Sequence, residues 1–183
     1  MLEENKLEDT YENKKLITRV YFRTKVWLAI KIARLRKEDV ILDYGCGGGW
    51  LEKKLKDYKI YGYDINPKKT FIKNYKKIKS TKIFVLDVFE HIPIEEIKKI
   101  LDNFKKLNDK FDIIVSLPTE NLISRKIRRF VGKSEVPSEH ITKYCDIIKI
   151  LKENFKLKKR INFFTISYIL MLEHRKEFQS KDL

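Results

Sequence analysis

No stretch of the chain runs to about 18 apolar residues, the length a helix needs to cross a bilayer, so the sequence predicts no transmembrane segment. Cysteine is scarce: two residues, Cys46 inside a glycine cluster and Cys145 in a helical pattern. Their spacing pairs them neither as a disulfide framework nor as zinc ligands, which predicts no metal and a reducing, cytoplasmic setting. The opening segment Met1–Asp9 is acidic and polar, the wrong composition for a signal peptide. Four prolines and six glycines leave no Pro/Gly-rich linker, and there is no repeat or low-complexity tract. The expectation is a single domain over residues 1–183, with a helical segment at 1–36. Alanine occurs twice and glutamine once, beside abundant Lys, Ile, Asn, Tyr and Phe. That pattern fits coding bias, and the shortage of Gln, Met and Cys also suits a thermophile. The net charge of +15 is read the same way: the cations are spread along every helix, with one local cluster at Arg125–Arg129.

What is present is a globular composition, 43% hydrophobic and 12% aromatic. An amphipathic helix is expected from Thr10 to Leu35, with Leu16, Val20, Val26 and Ile30 apolar and Tyr21 and Trp27 covering one end of the core. Strands and helices then alternate. Strands are expected at Val40–Asp43, Lys59–Asp64, Lys82–Leu86 and Lys110–Leu117, and helices at Trp50–Asp57, Asn66–Ile78 and Ile94–Leu107. In the Asn66 helix, Pro67 occupies the first helical position. A less regular basic stretch, Glu120–Glu139, precedes a helix at Ile141–Asn154 and two closing strands, Lys156–Phe164 and Ile166–Glu173. The pattern is α/β: a mostly parallel sheet with helices on both faces.

The most informative segment is Asp43-Tyr44-Gly45-Cys46-Gly47-Gly48-Gly49, a loop at the carboxyl end of the first strand. Glycines there let a ligand approach the backbone with no Cβ between. The spacing is G-x-G-x-G, one residue tighter than the dinucleotide-binding fingerprint. Asp64 ends the second strand 19 residues after Gly45, where a carboxylate can accept both hydroxyls of a ribose.

These residues carry a resemblance. Val40–Gly49 is similar to the first motif of class I S-adenosylmethionine-dependent methyltransferases, and Tyr61–Pro67 resembles their second. Asp87–Pro93 resembles the Glu-His segment that marks the branch acting on small metabolites. Pro118, 28 residues after Glu90, and Pro137–Thr142 match later landmarks of that branch. The resemblance spans residues 10 to 173, nearly the whole chain. It implies a Rossmann-like methyltransferase fold with a sheet of six or seven strands, only the last antiparallel. The short gap between Tyr75 and Lys82 implies that the family's third strand is missing. A rival alignment makes Lys82–Asp87 that strand, with Asp87 contacting the adenine.

The cofactor implied is S-adenosyl-L-methionine. By the same resemblance Gly45, Cys46, Gly47 and Gly49 contact its methionine half through backbone, and Asp43 orients its amino group. Asp64 holds the ribose, Ile65 lies against the adenine, and Leu86, Asp87 and Val88 line the site near the sulfonium. A base for a hydroxyl or amine acceptor would be His91 or His140. Bracing of a loop beside Glu90 is the competing role for His91, and helix capping that for His140. The segment 120–140, with Arg125, Arg128 and Arg129, is expected to be a lid over the acceptor. The acceptor implied is a small molecule, lipid or sugar, with an acidic group suiting those arginines. Methylation of nucleic acid or protein, and a non-catalytic cofactor-binding subunit, remain the alternatives.

Overall fold

The computed structural model describes residues 16–119 and 141–176. The elements in chain order are α1 (Leu16–Ala33), β1 (Val40–Tyr44), α2 (Trp50–Lys54), β2 (Lys59–Tyr63), β3 (Lys82–Leu86), α3 (Ile94–Lys105), β4 (Lys110–Pro118), α4 (Tyr144–Asn154), β5 (Lys156–Phe163) and β6 (Ser167–Arg175). They build one six-stranded sheet in the order β2-β1-β3-β4-β6-β5. The pairs β2–β1, β1–β3 and β3–β4 are parallel, whereas β6 runs antiparallel to both β4 and β5. The class and the single antiparallel strand follow the expectation. Among the described residues no strand lies between β2 and β3, which leaves β2 as one edge of the sheet.

Central strands are apolar on both sides because both faces are covered. Leu42, Ile83, Val85, Ile113 and Val115 face α3 and α4 with Ile97, Leu101, Phe104, Ile147 and Leu151. Ile41, Phe84, Ile114, Ile169 and Met171 face α1 and α2 with Val26, Ala29, Ile32 and Leu51. In α3 the apolar positions fall at helical spacing, Glu95 and Glu96 occupy the first turn, and Lys105 the last. That charge order suits the helix dipole. Among the described residues no helix is long and apolar enough to cross a membrane.

Three expectations change. The helix from Asn66 to Ile78 does not form; only a 3-10 turn appears, at Tyr75–Lys77. Its backbone donors are claimed locally. The Asn66 side chain accepts from Lys68 N at 3.0 Å, and the N–H groups of Phe71 and Ile72 both turn back to the Gly62 carbonyl. Side chains that bond nearby backbone compete with the helical ladder. Second, Leu16, Val20 and Trp27 are exposed instead of covering the core, while Thr18, Lys25, Val26, Ala29 and Ile32 are buried. Third, the described cations are not evenly dispersed: Lys31, Arg34, Lys159 and Arg160 line one groove. The stretch 120–140, with His140 and the expected lid, lies outside the described residues.

Candidate active site

Parallel strands β1, β2 and β3 end side by side, and the loops leaving their carboxyl ends gather the expected cofactor residues. The glycine loop follows β1. Gly45, Gly47 and Gly49 have φ of 84°, 50° and 69°, left-handed conformations that side chains disfavour. A Cβ on Gly45 would also collide with Val88, which packs over it from the segment after β3. Above Gly47 and Gly48 the space is open, with no atom within 4 Å of a would-be Cβ. A ligand can therefore reach bare backbone there.

The loop is tied to β2 at both ends of the turn. Gly45 N and Cys46 N donate to the Tyr63 carbonyl at 2.7 and 3.1 Å. Gly47 N donates to one Asp64 oxygen and Asn66 N to the other, each at 2.9 Å. Asp64 thus holds the rim of the cradle while its carboxylate keeps further lone pairs for a hydroxyl donor. Ile65, the next residue, stands 91% exposed.

Asp43 lies beneath the loop, 5% exposed. Burial, then Glu52 and then Asp64 hold its carboxyl well above the ordinary range. Glu52, on α2, is raised too, chiefly by burial. Both Glu52 oxygens are buried and accept no hydrogen bond from a protein donor. A proton shared between the Asp43 and Glu52 carboxyls would give one Glu52 oxygen a partner and reduce the like charges to one. Burial, followed by Asp43, Glu52 and Asp64, pushes the Cys46 thiol up. Cys46 is accordingly a packed thiol whose burial disfavours the thiolate.

Glu52 and Phe71 belong to this site without having been singled out from the sequence. Gly62 pairs with Asp43 in the sheet, and its missing Cβ is the room that Glu52, Phe71 and the Cys46 sulfur occupy. Phe71 also leans on Gly49, with a ring carbon 2.7 Å from a would-be Cβ.

Asp87 presents a different picture from the one implied by resemblance alone. It has φ 56°, one oxygen accepts from Ser116 Oγ at 2.8 Å, and the other pairs with Lys25 of α1. The Lys25 side chain is 3% exposed. Burial pulls its pKa down, but Asp87 and Tyr21 outweigh that and the net direction is up. Lys25 also lies over the Phe22 ring at 4.5 Å. Leu86 is half-buried and packs toward α1. His91 sits in the 3-10 turn Phe89–His91, its backbone N–H bonded to Val88 O at 3.1 Å.

The structure therefore brings Asp43, Gly45, Cys46, Gly47, Gly49, Asp64 and Val88 around one loop, and sets Leu86 and Asp87 at the neighbouring strand end. Open space over two glycines, a buried acidic cluster beneath them and a rim carboxylate fit the methionine half and ribose of the implied cofactor. A sequence model of the methyltransferase domain matches residues 22–176. The chain belongs to the class I S-adenosylmethionine-dependent methyltransferases. No curated protein sequence matches this methyltransferase. Solved structures share its fold at low identity. The PH0226 protein of Pyrococcus horikoshii OT3 aligns over 91% of this chain and 96% of its own, at 14% identity and TM-score 0.68. A methyltransferase from Aquifex aeolicus described as SAM-dependent aligns over 84% and 89%, at 14% identity and TM-score 0.62. The small RNA methyltransferase HEN1 aligns over 89% of this chain but 27% of its own, at 17% identity and TM-score 0.64.

Proposed function

We propose that this methyltransferase moves the methyl group of S-adenosylmethionine to a small-molecule or lipid acceptor held at the carboxyl ends of β3 and β4. The observation that carries the reading is the pocket of Asp43, Glu52 and Asp64 around a glycine loop that is open above Gly47 and Gly48. The cofactor, when bound, supplies an electrophilic methyl, so the protein's work is positioning and exclusion of water. Gly45, Cys46, Gly47 and Gly49 offer backbone to its methionine half, Asp43 takes the amino group, and Asp64 accepts from the ribose hydroxyls. Ile65 gives an apolar face to the adenine. Leu86, Asp87 and Val88 form the wall toward the reacting centre, with Asp87 fixed by Lys25 and Ser116 rather than free to bind a ligand.

The acceptor side is aromatic. Tyr21 stacks on Phe163 with centroids 5.1 Å apart, and the Tyr21 hydroxyl bonds Ser167 Oγ at 2.6 Å. These groups stand beside the ends of β4 and β6, where open α/β sheets bind ligands. His91 and His140 are the groups proposed to take a proton from the acceptor, and 120–140 the segment proposed to cover it. The test is turnover of labelled cofactor by the whole chain against separate pools of metabolites, lipids and RNA. Methyl incorporation into the metabolite or lipid pool, lowered by His91→Ala or His140→Ala at unchanged cofactor affinity, is the expected result. Incorporation into RNA alone would overturn the acceptor class, and no turnover with intact binding would overturn catalysis.

A further inference from the structure

Helix α1 is apolar on two opposite faces. Thr18, Lys25, Ala29 and Ile32 recur at spacings of seven, four and three and are buried against the sheet. Leu16, Val20, Trp27 and Lys31 recur at four, seven and four on the opposite side. There Leu16, Ile17, Val20 and Trp27 are 62, 68, 52 and 54% exposed. A helix that covers one face of a sheet needs one apolar stripe, so the outer stripe of α1 is a second one that the fold does not use. Single exposed aliphatics need no explanation, but Leu16, Val20 and Trp27 along one stripe, with Ile17 beside it, form a patch.

The charges around that stripe are of one sign. From Leu16 to Lys37 the sequence holds seven Lys and Arg and no Asp or Glu. Beside the stripe, Lys31, Arg34, Lys159 and Arg160 line a groove of about 430 Å³ together with Ile32 and Ile161. Among the described residues no carboxylate pairs with those four cations. Lys31 lies 4.9 Å over the Trp27 ring. Cations on β5 have an ordinary use, since charge on an edge strand discourages pairing with other chains. That use does not extend to Lys31 and Arg34, which are on and just after the helix.

A third feature lies at the same flank. The turn joining β5 to β6 places Phe164 and Thr165 at φ 49° and 57°, a conformation that favours glycine or asparagine. A bulky residue held there is an outlier that points toward function. Phe164 is 71% exposed. Its ring is 4.8 Å from Phe163, which stacks on Tyr21 of α1. The tip therefore stands beside the first half of α1, one ring away from Tyr21.

We infer that the outer face of α1, together with Phe164 and the Lys31–Arg34–Lys159–Arg160 groove, docks the protein on an anionic lipid surface. Leu16, Ile17, Val20, Trp27 and Phe164 enter the boundary between headgroups and acyl chains, and the groove cations meet lipid phosphates, as an interfacial amphipathic helix does. An RNA track is the other use of such cations. It would not call for Leu, Ile and Val outward, because single strands are held by aromatic stacking and phosphate contacts. This docking is separate from methyl transfer and requires neither cofactor nor acceptor to be observed.

The test is sedimentation of the full chain with vesicles of equal phosphatidylglycerol and phosphatidylcholine, against vesicles of phosphatidylcholine alone. Tenfold or stronger partitioning to the anionic vesicles, weakening with salt, is expected. Trp27→Ser/Phe164→Ser and Lys31→Glu/Arg34→Glu should each reduce it about tenfold, with far-ultraviolet dichroism and cofactor affinity unchanged to show that the fold persists. Brominated lipid should quench Trp27 fluorescence in a Trp50→Phe background. Absence of vesicle binding, or variants that bind like the parent, overturns the proposal. So does tight RNA binding without vesicle binding, or a dimer in sedimentation that Trp27→Ser dissociates.

Discussion

Asp43 and Glu52 share a pocket that a protonated pair satisfies and an ionised pair does not. Both folded-state pKa values are raised, for Asp43 by burial and then Glu52, and for Glu52 chiefly by burial. The folded protein therefore holds protons that the unfolded chain has released. Stability from this pair is complete below the ordinary carboxylate range and falls as pH rises through the raised values. Thermal melts without cofactor should show that decline, and Asp43→Asn should flatten it. The same variant should be more stable than the parent near neutral pH by on the order of 1 kcal/mol, since a buried acid is neutralised without change of shape. Its affinity for S-adenosylmethionine should move the other way, dropping about tenfold or more as a charged acceptor is lost. If the cofactor's ammonium docks at Asp43, binding expels the shared proton, so affinity rises with pH over that window. Calorimetry in buffers of different ionisation heat reads the proton directly; equal heats would contradict the assignment.

Asp64 makes a sharper case, because it serves the loop and the ribose at once. Asp64→Ala removes the acceptor for Gly47 N and Asn66 N. The affinity for cofactor should fall by at least about tenfold, with a smaller loss of stability because the freed N–H groups lie near solvent. Titration calorimetry showing parent-like binding would refute the ribose role.

At the scale of elements, α1 is fastened to the sheet through a buried ion pair as well as apolar packing. Lys25→Met should destabilise the fold by about 3–5 kcal/mol, because Asp87 is left with Ser116 alone. Lys25→Met/Asp87→Asn should recover part of that loss, a coupling that denaturant melts of the four variants would reveal. Simple additivity would mean that the pair does not fasten α1. The sequence displayed this fold unevenly. β1, β3 and β4 stood out as apolar runs ended by turn residues, since strands buried on both faces are built mostly of apolar side chains. The glycine loop and Asp64 stood out because left-handed turns and strand-end carboxylates leave few choices of residue. Lys25 and Asn66–Ile78 did not. A lysine at a core position of a lysine-rich helix looks like one more solvated charge until Asp87 is seen opposite it. Asn66-Pro67 is a good helix start, yet the chain that follows is claimed by the Gly62 carbonyl, a partner distant in pattern though near in space. Glu52 was hidden for a similar reason: only the pairing of Asp43 with Gly62 shows where its carboxyl goes.

At the scale of the whole molecule, β6 lies between β4 and β5 although it follows both in the chain. A protein is made from its amino end. While the ribosome adds residues 119–166, the nine-residue edge of β4 has no partner, and Ile113, Ile114 and Val115 wait for Leu170, Met171 and Leu172. Four of the six strands can pair early; the other two join only when β6 reaches the edge of β4 and carries β5 with it. Chains stalled before Ser167 clears the exit tunnel should be cut readily by protease within β4, and those released after Arg175 should resist. The step that protects the nascent enzyme from aggregation is therefore set by the position of a late-made strand, not by the glycine loop that was finished more than a hundred residues earlier.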